Sequence, residues 1–244
     1  MHLENIVIDA ADPRGFASFW AEALGARVVT REPDLYEARL EFGDGVFVDL
    51  CFPRVGAPER GELRLHLDLA AGADQGAVVD RLLSLGAQPL DIGQGEVSWV
   101  VLADPLGTPF CVLADKLRYR DAGPIAAISI DSPDPGRDAA FWSALIDWPS
   151  AQDGPDTDLQ HPSGRGPLLE FYPEPRRKAG KNRIHLDVRP GPQEDDDTAL
   201  ARALDLGATR LRHEWGELPW TVLADPGGNE FCLLGAPAAN DFLG

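Results

Sequence analysis

Apolar residues fall in short runs along this chain, and the runs switch between a strand period and a helix period. Residues 5–10 and 127–132 are apolar and strand-like, and each run leads into an Asp-Pro pair, Asp12-Pro13 and Asp134-Pro135. An Asp accepts from the free amides of a first helical turn, and Pro fits the first helical position. Helices are therefore predicted over 14–24 and 136–146, with Gly25 at a left-handed stop. YEARLEF and VFVDLCF follow as strands around Gly43-Asp44-Gly45, a hairpin signal. The pattern then restarts: LRLHLDL at 63–69 is a strand, 75–85 a helix, and 88–92, 97–103 and 109–114 are strands. In the second half a helix over 196–206 begins at the run Asp195-Asp196-Asp197. That run is read as favourable charge at a helix N-terminus.

Alternation within the middle strands separates two faces. Leu63, Leu65, Leu67 and Leu69 share one face, and Arg64, His66 and Asp68 share the other. In NRIHLDV at 182–188, Arg183, His185 and Asp187 repeat that polar row against Ile184, Leu186 and Val188. The apolar face has to pack on helices. Both polar rows are expected to line concave faces and meet a ligand, with His66 and His185 as acid/base groups.

These strands are parts of a larger duplication. IVIDAADPRGFASFW at 6–20 returns as ISIDSPDPGRDAAFW at 128–142, and SWVVLADPLGTPFCVL at 98–113 returns as PWTVLADPGGNEFCLL at 219–234. Same order and similar spacing mean two copies of one domain, at 1–114 and 123–236. Residues 115–122 form a linker and 237–244 a tail. Phe19-Trp20, Phe141-Trp142, Trp99 and Trp220 repeat and are read as packing. The repeated Asp-Pro-x-Gly motifs are turns. His161 and His213 have no repeat partner and receive no role.

Composition narrows the classes. The chain has 244 residues, 44% of them hydrophobic, so each copy can bury a core. A formal charge of −18 with no basic stripe argues against nucleic acid. No apolar run reaches bilayer length and no secretory signal is apparent, so neither a membrane nor export is expected. Three scattered cysteines, Cys51, Cys111 and Cys232, do not make a disulfide framework, and a cytoplasmic location is expected. A monomer and a homodimer remain equally open.

Paired βαβββ units, Leu-Gly-Ala after the second helix of each copy, HLDL on a fifth strand and DPxGNEFC before the last resemble the vicinal oxygen chelate superfamily. Glyoxalase I, bleomycin-resistance proteins and extradiol dioxygenases share that fold, and the nearest likeness is to its glyoxalase-like actinobacterial branch. The resemblance implies an α+β fold of two tandem domains, each a pair of βαβββ units forming a curved, half-open cup. It also implies metal ligands from the first, fourth, fifth and eighth strands. Those positions hold Asn5 and Ala127, then Asp49 or Leu50 and Glu170, then His66 and His185, then Cys111 and Cys232. His185, Glu170 and Cys232 are thus the set expected to hold a divalent metal, zinc or iron, in the second copy. No catalytic metal is expected in the first copy.

The leading functional expectation is a small-molecule binding protein that needs no metal or other cofactor. Arg64, Asp68, Arg183 and Asp187 would contact the ligand. The alternatives are a metal-dependent lyase, isomerase or dioxygenase in the second copy, and a metal-free enzyme using His66 or His185.

Overall fold

A computed structural model describes residues 1–56, 63–152, 154–213 and 216–236; the tail expected at 237–244 lies outside the described residues. The first copy runs β1 (His2–Ile8), α1 (Pro13–Leu24), β2 (Arg27–Glu32), β3 (Leu35–Gly43), β4 (Val46–Pro53), β5 (Leu65–Ala70), α2 (Gln75–Ser84), β6 (Gln88–Pro89), β7 (Val100–Ala103) and β8 (Pro109–Leu113). The second runs β9 (Ile125–Ser132), α3 (Pro135–Ile146), β10 (Asp158–Leu159), β11 (Leu168–Pro173), β12 (Ile184–Arg189), α4 (Asp196–Asp205), β13 (Thr209–Arg210), β14 (Trp220–Ala224) and β15 (Glu230–Leu234).

Local chemistry sets the element ends. The Asp12 and Asp134 carboxylates accept from the amides of Gly15 and Arg137, as helix caps should. Gly25 stops α1 at φ 68°, and in α3 Asp147 takes the same left-handed position at φ 58°. Asp195 caps α4 through the Thr198 amide, with Asp196 and Asp197 in its first turn.

The α+β class and the two tandem copies are those read from the sequence, but the first unit of the second copy has three strands, β9, β10 and β11, and the pairing of units differs. The strands form two open sheets, in the orders β13-β14-β15-β12-β1-β4-β3-β2 and β10-β11-β9-β5-β8-β7-β6. Each sheet therefore joins one unit of each copy. The seam of the eight-stranded sheet is β1 against β12, antiparallel, with Val7 opposite His185 and Asn5 opposite Asp187. The seam of the seven-stranded sheet is β5 against β9, with His66 opposite Ser129. The two units of one copy therefore do not share a cup, which corrects the pairing implied by the resemblance. Pairing across copies covers one edge strand of every unit and leaves β13, β2, β10 and β6 at the sheet edges.

The apolar faces and helices make the core. Phe16, Trp20, Phe52 and Phe110 meet edge to face, and Phe141, Trp142 and Phe231 repeat the arrangement. Trp142 also donates its indole N–H to buried Asp225 at 3.0 Å. No helix is long and apolar enough to cross a membrane. The His and Asp of each polar row lie opposite the apolar residues that pack in this core.

Candidate functional site

Four strands bring a compact polar cluster to the middle of the eight-stranded concave face. Asn5 on β1 registers with Asp49 on β4 and Asp187 on β12, and Asp187 registers with Cys232 on β15. The Asn5 amide donates to Asp187 Oδ2 at 3.0 Å. His185 Nε2 lies 3.5 Å from Asp187 Oδ1 and 3.6 Å from Cys232 Sγ. Arg39 binds Asp49 with both arms, at 2.8 and 2.7 Å. Asp49, not Leu50, is the fourth-strand residue of this face, because Leu50 is fully buried in the core.

Burial dominates the electrostatics. It drives the His185 imidazole down to about 3, assisted by the Lys181 charge, so the ring is neutral at pH 7. It pushes Asp187 up to about 7 against hydrogen bonds from Asn5 and Cys232. His185 and Asp187 are thus near neighbours without being a full ion pair. Burial and the adjacent Asp187 push the Cys232 thiol up, so it is no ready nucleophile. His185 Nδ1 and Asp187 Oδ1 are buried without a hydrogen-bond partner.

The seven-stranded face repeats the row with a different outcome. His66 Nε2 lies 3.4 Å from Asp68 Oδ1, Asp68 registers with Cys111, and Ser129 donates to Asp68 at 2.7 Å. Burial lowers the His66 pKa, but Asp68, Asp131 and Glu170 outweigh it and the net shift is upward. The chain itself engages the Glu170 carboxylate of this cup. The linker folds into a short 3-10 turn, Leu117–Tyr119, whose Tyr119 is buried and donates to Glu170 Oε1 at 2.9 Å. Tyr172 donates to the other Glu170 oxygen at 2.7 Å, and Arg118 lies 3.1 Å from the same carboxylate. Nothing in the linker sequence signals this insertion.

The sequence-derived residues are redistributed accordingly. His185 and Cys232 come together, but Glu170 belongs to the other sheet, because the fourth strand of one copy shares a cup with the fifth strand of the other. The donors that do gather are His185, Asp187 and Cys232, and separately His66, Asp68 and Cys111, each set within 4.8 Å. Their nitrogen, oxygen and sulfur atoms suit a zinc-class ion. Both fourth-strand carboxylates, Asp49 and Glu170, are instead held by arginines. Arg64 does not point into a cup to meet a ligand; it donates to the carbonyls of Glu174 and Arg176 at 3.5 and 2.5 Å. Arg183 reaches the carbonyl of Leu106 at 3.4 Å. These two arginines tie loops to the sheets, while His and Asp of each row line the cups. Trp99 and Trp220, expected to pack, remain 38% and 39% exposed.

A groove of about 470 Å³ opens beside the cluster, bounded by Leu211, Gly227, Gly228 and Glu230 and by the loop that carries Arg176, Arg177 and Lys178.

Comparison with known proteins follows this architecture. The glyoxalase-like domain family matches residues 5–113 and again 127–234. Glyoxalase I from Zea mays is similar in structure over 96% of this chain and 92% of its own, with a TM-score of 0.62 at 17% identity. A putative dioxygenase from Bacillus subtilis subsp. subtilis str. 168 is similar over 99% of this chain and 87% of its own, with a TM-score of 0.58 at 18% identity. No curated protein sequence matches the chain. Two successive matches that span most of the sequence, on an eight-stranded and a seven-stranded sheet that each join one unit of each copy, make this chain a member of the glyoxalase-like domain family.

Proposed function

We propose that the protein binds a small organic molecule against the concave face of the eight-stranded sheet, around His185, Asp187 and Cys232. The observation that carries this reading is the pair of buried, unpartnered atoms His185 Nδ1 and Asp187 Oδ1 in one cup. Buried polar atoms without partners are few in folded proteins, and a ligand is one way of satisfying them. Asp68 Oδ1 of the seven-stranded cup is likewise buried without a partner, but there Tyr119 and Arg118 engage the Glu170 carboxylate, which favours the eight-stranded face for the ligand. On that face the neutral imidazole can share a hydrogen bond with a ligand, with Asp187 beside it.

A second reading has its own observation, the convergence of His185, Asp187 and Cys232 within 4.8 Å. These three would hold a divalent ion and leave coordination open to a ligand oxygen. Such an ion supplies Lewis-acid polarisation of that oxygen.

Ligand screening by NMR on the whole chain tests the first reading. Binders should shift the His185 and Cys232 signals and lose affinity in His185→Gln. A set of binders that shifts only signals of the seven-stranded cup would overturn it.

A further inference from the structure

The two copies differ most in charge where the chain crosses from one sheet to the other. In the first copy the crossing segment, 55–64, reads VGAPERGELR, with two carboxylates against two cations. In the second copy the matching segment, 174–183, reads EPRRKAGKNR, with five cations against one carboxylate. This concentration stands in a chain whose formal charge is −18.

The structure puts that segment beside the polar cluster of the eight-stranded face. Arg176, Arg177 and Lys178 wall the 470 Å³ groove, whose floor includes Leu211 and Glu230. Glu230 lies on β15 two residues before Cys232 and on the same face, about 7 Å away along the strand. Leu211 donates its amide to the carbonyl of Val222, which registers with Cys232. The groove therefore lies next to the cluster around His185.

The cations there are not equivalent. Arg176 is held by Glu174 at 2.7 Å and Lys178 by Glu230 at 2.5 Å. Arg177 is exposed and enters no ion pair among the described residues. An unpaired guanidinium in a strongly acidic chain keeps a planar fork open that matches a carboxylate or phosphate in two parallel hydrogen bonds. The groove volume falls within the usual range of small-ligand sites.

We propose that the cup takes a small organic anion, with its carboxylate or phosphate on Arg177 and its uncharged end directed toward Cys232 and His185. This rests on the binding role proposed above and adds the class of ligand.

Benzoate, phenyl phosphate and benzyl alcohol titrated into the full chain test it, with dissociation constants and affected residues read from amide NMR. At least one anion is expected to bind about tenfold tighter than the alcohol, with shifts at Leu211 and Cys232. Arg177→Ala should remove that advantage and leave the alcohol unchanged, and Arg177→Lys should restore part of it. Saturation by only one anion narrows the class to that group. Equal binding of anion and alcohol around Cys232 would leave the cup reading standing and overturn the anion. So would undiminished anion binding by Arg177→Ala, or no saturation by either anion at about 10 mM.

Discussion

Asn5 and Asp187 stand 182 positions apart in the chain, yet the Asn5 side-chain amide donates to the Asp187 carboxylate at 3.0 Å. The contact closes the seam between β1 and β12 and lies inside the polar cluster of the eight-stranded face. It joins the first unit of one copy to the last unit of the other. Asn5→Ala is expected to destabilise the protein by about 1–3 kcal/mol, because a buried carboxyl loses one of its donors. Urea denaturation measures this, and a loss below the error of the measurement would show the seam to be held by its backbone alone.

Two equivalent tryptophans differ in one hydrogen bond. Trp142 donates to Asp225, whereas the indole N–H of Trp20 has no partner. Both rings fill the same place in their units, so Trp→Phe removes similar volume from each. Trp142→Phe should cost about 1–3 kcal/mol more than Trp20→Phe, since only it strips a donor from a buried carboxyl. Equal losses in thermal or chemical unfolding would contradict this.

Acid should loosen the long-sheet seam. Burial works to raise the pKa of Glu4, but hydrogen bonds from His2 and Arg189 outweigh it and bring it from 4.5 to about 2. A depressed carboxyl contributes stability that is fully present above its unfolded value and is lost as pH falls through its folded one. The loss therefore falls between about pH 4.5 and pH 2. Glu4→Gln should flatten the stability profile in that window and leave its shape near neutrality unchanged.

Tyr119 seats the linker in the seven-stranded cup. Tyr119→Phe keeps the ring and removes the donor to Glu170, which retains Tyr172 and Arg118. The expected cost is about 1 kcal/mol in unfolding free energy. Ligand affinity in the eight-stranded cup should not change. A parallel loss of affinity would mean the two cups are coupled.

Zinc titrated into chelator-treated protein separates two donor sets. If the second reading holds, Asp187→Asn should weaken binding by at least about tenfold, while Glu170→Gln leaves it unchanged. The reverse pattern would favour the set of His185, Glu170 and Cys232 despite their placement on different sheets. Absence of zinc binding in the parent protein would remove the metal reading.

Much of this molecule was legible in its sequence because the signals are local. Asp-Pro before an apolar 3.6-residue period fixes where α1 and α3 begin, and two-residue alternation puts His66 with Asp68, and His185 with Asp187, on polar faces. The duplication itself tells that the two rows lie on equivalent strands. What the sequence did not determine is which unit pairs with which, since β1 offers the same kind of open edge to β5 as to β12. Hydrogen bonding between strands reads the backbone, and nearly identical apolar faces make either pairing plausible to a one-dimensional pattern. Only the tertiary structure decides that β1 meets β12 and β5 meets β9. That choice moves Glu170 away from His185, sets Asp49 near it, and lets the linker reach Glu170 with Tyr119. It also swings the basic crossing loop over Glu230. Neighbours brought together across such sequence distances come from chain topology, which local periodicity does not encode.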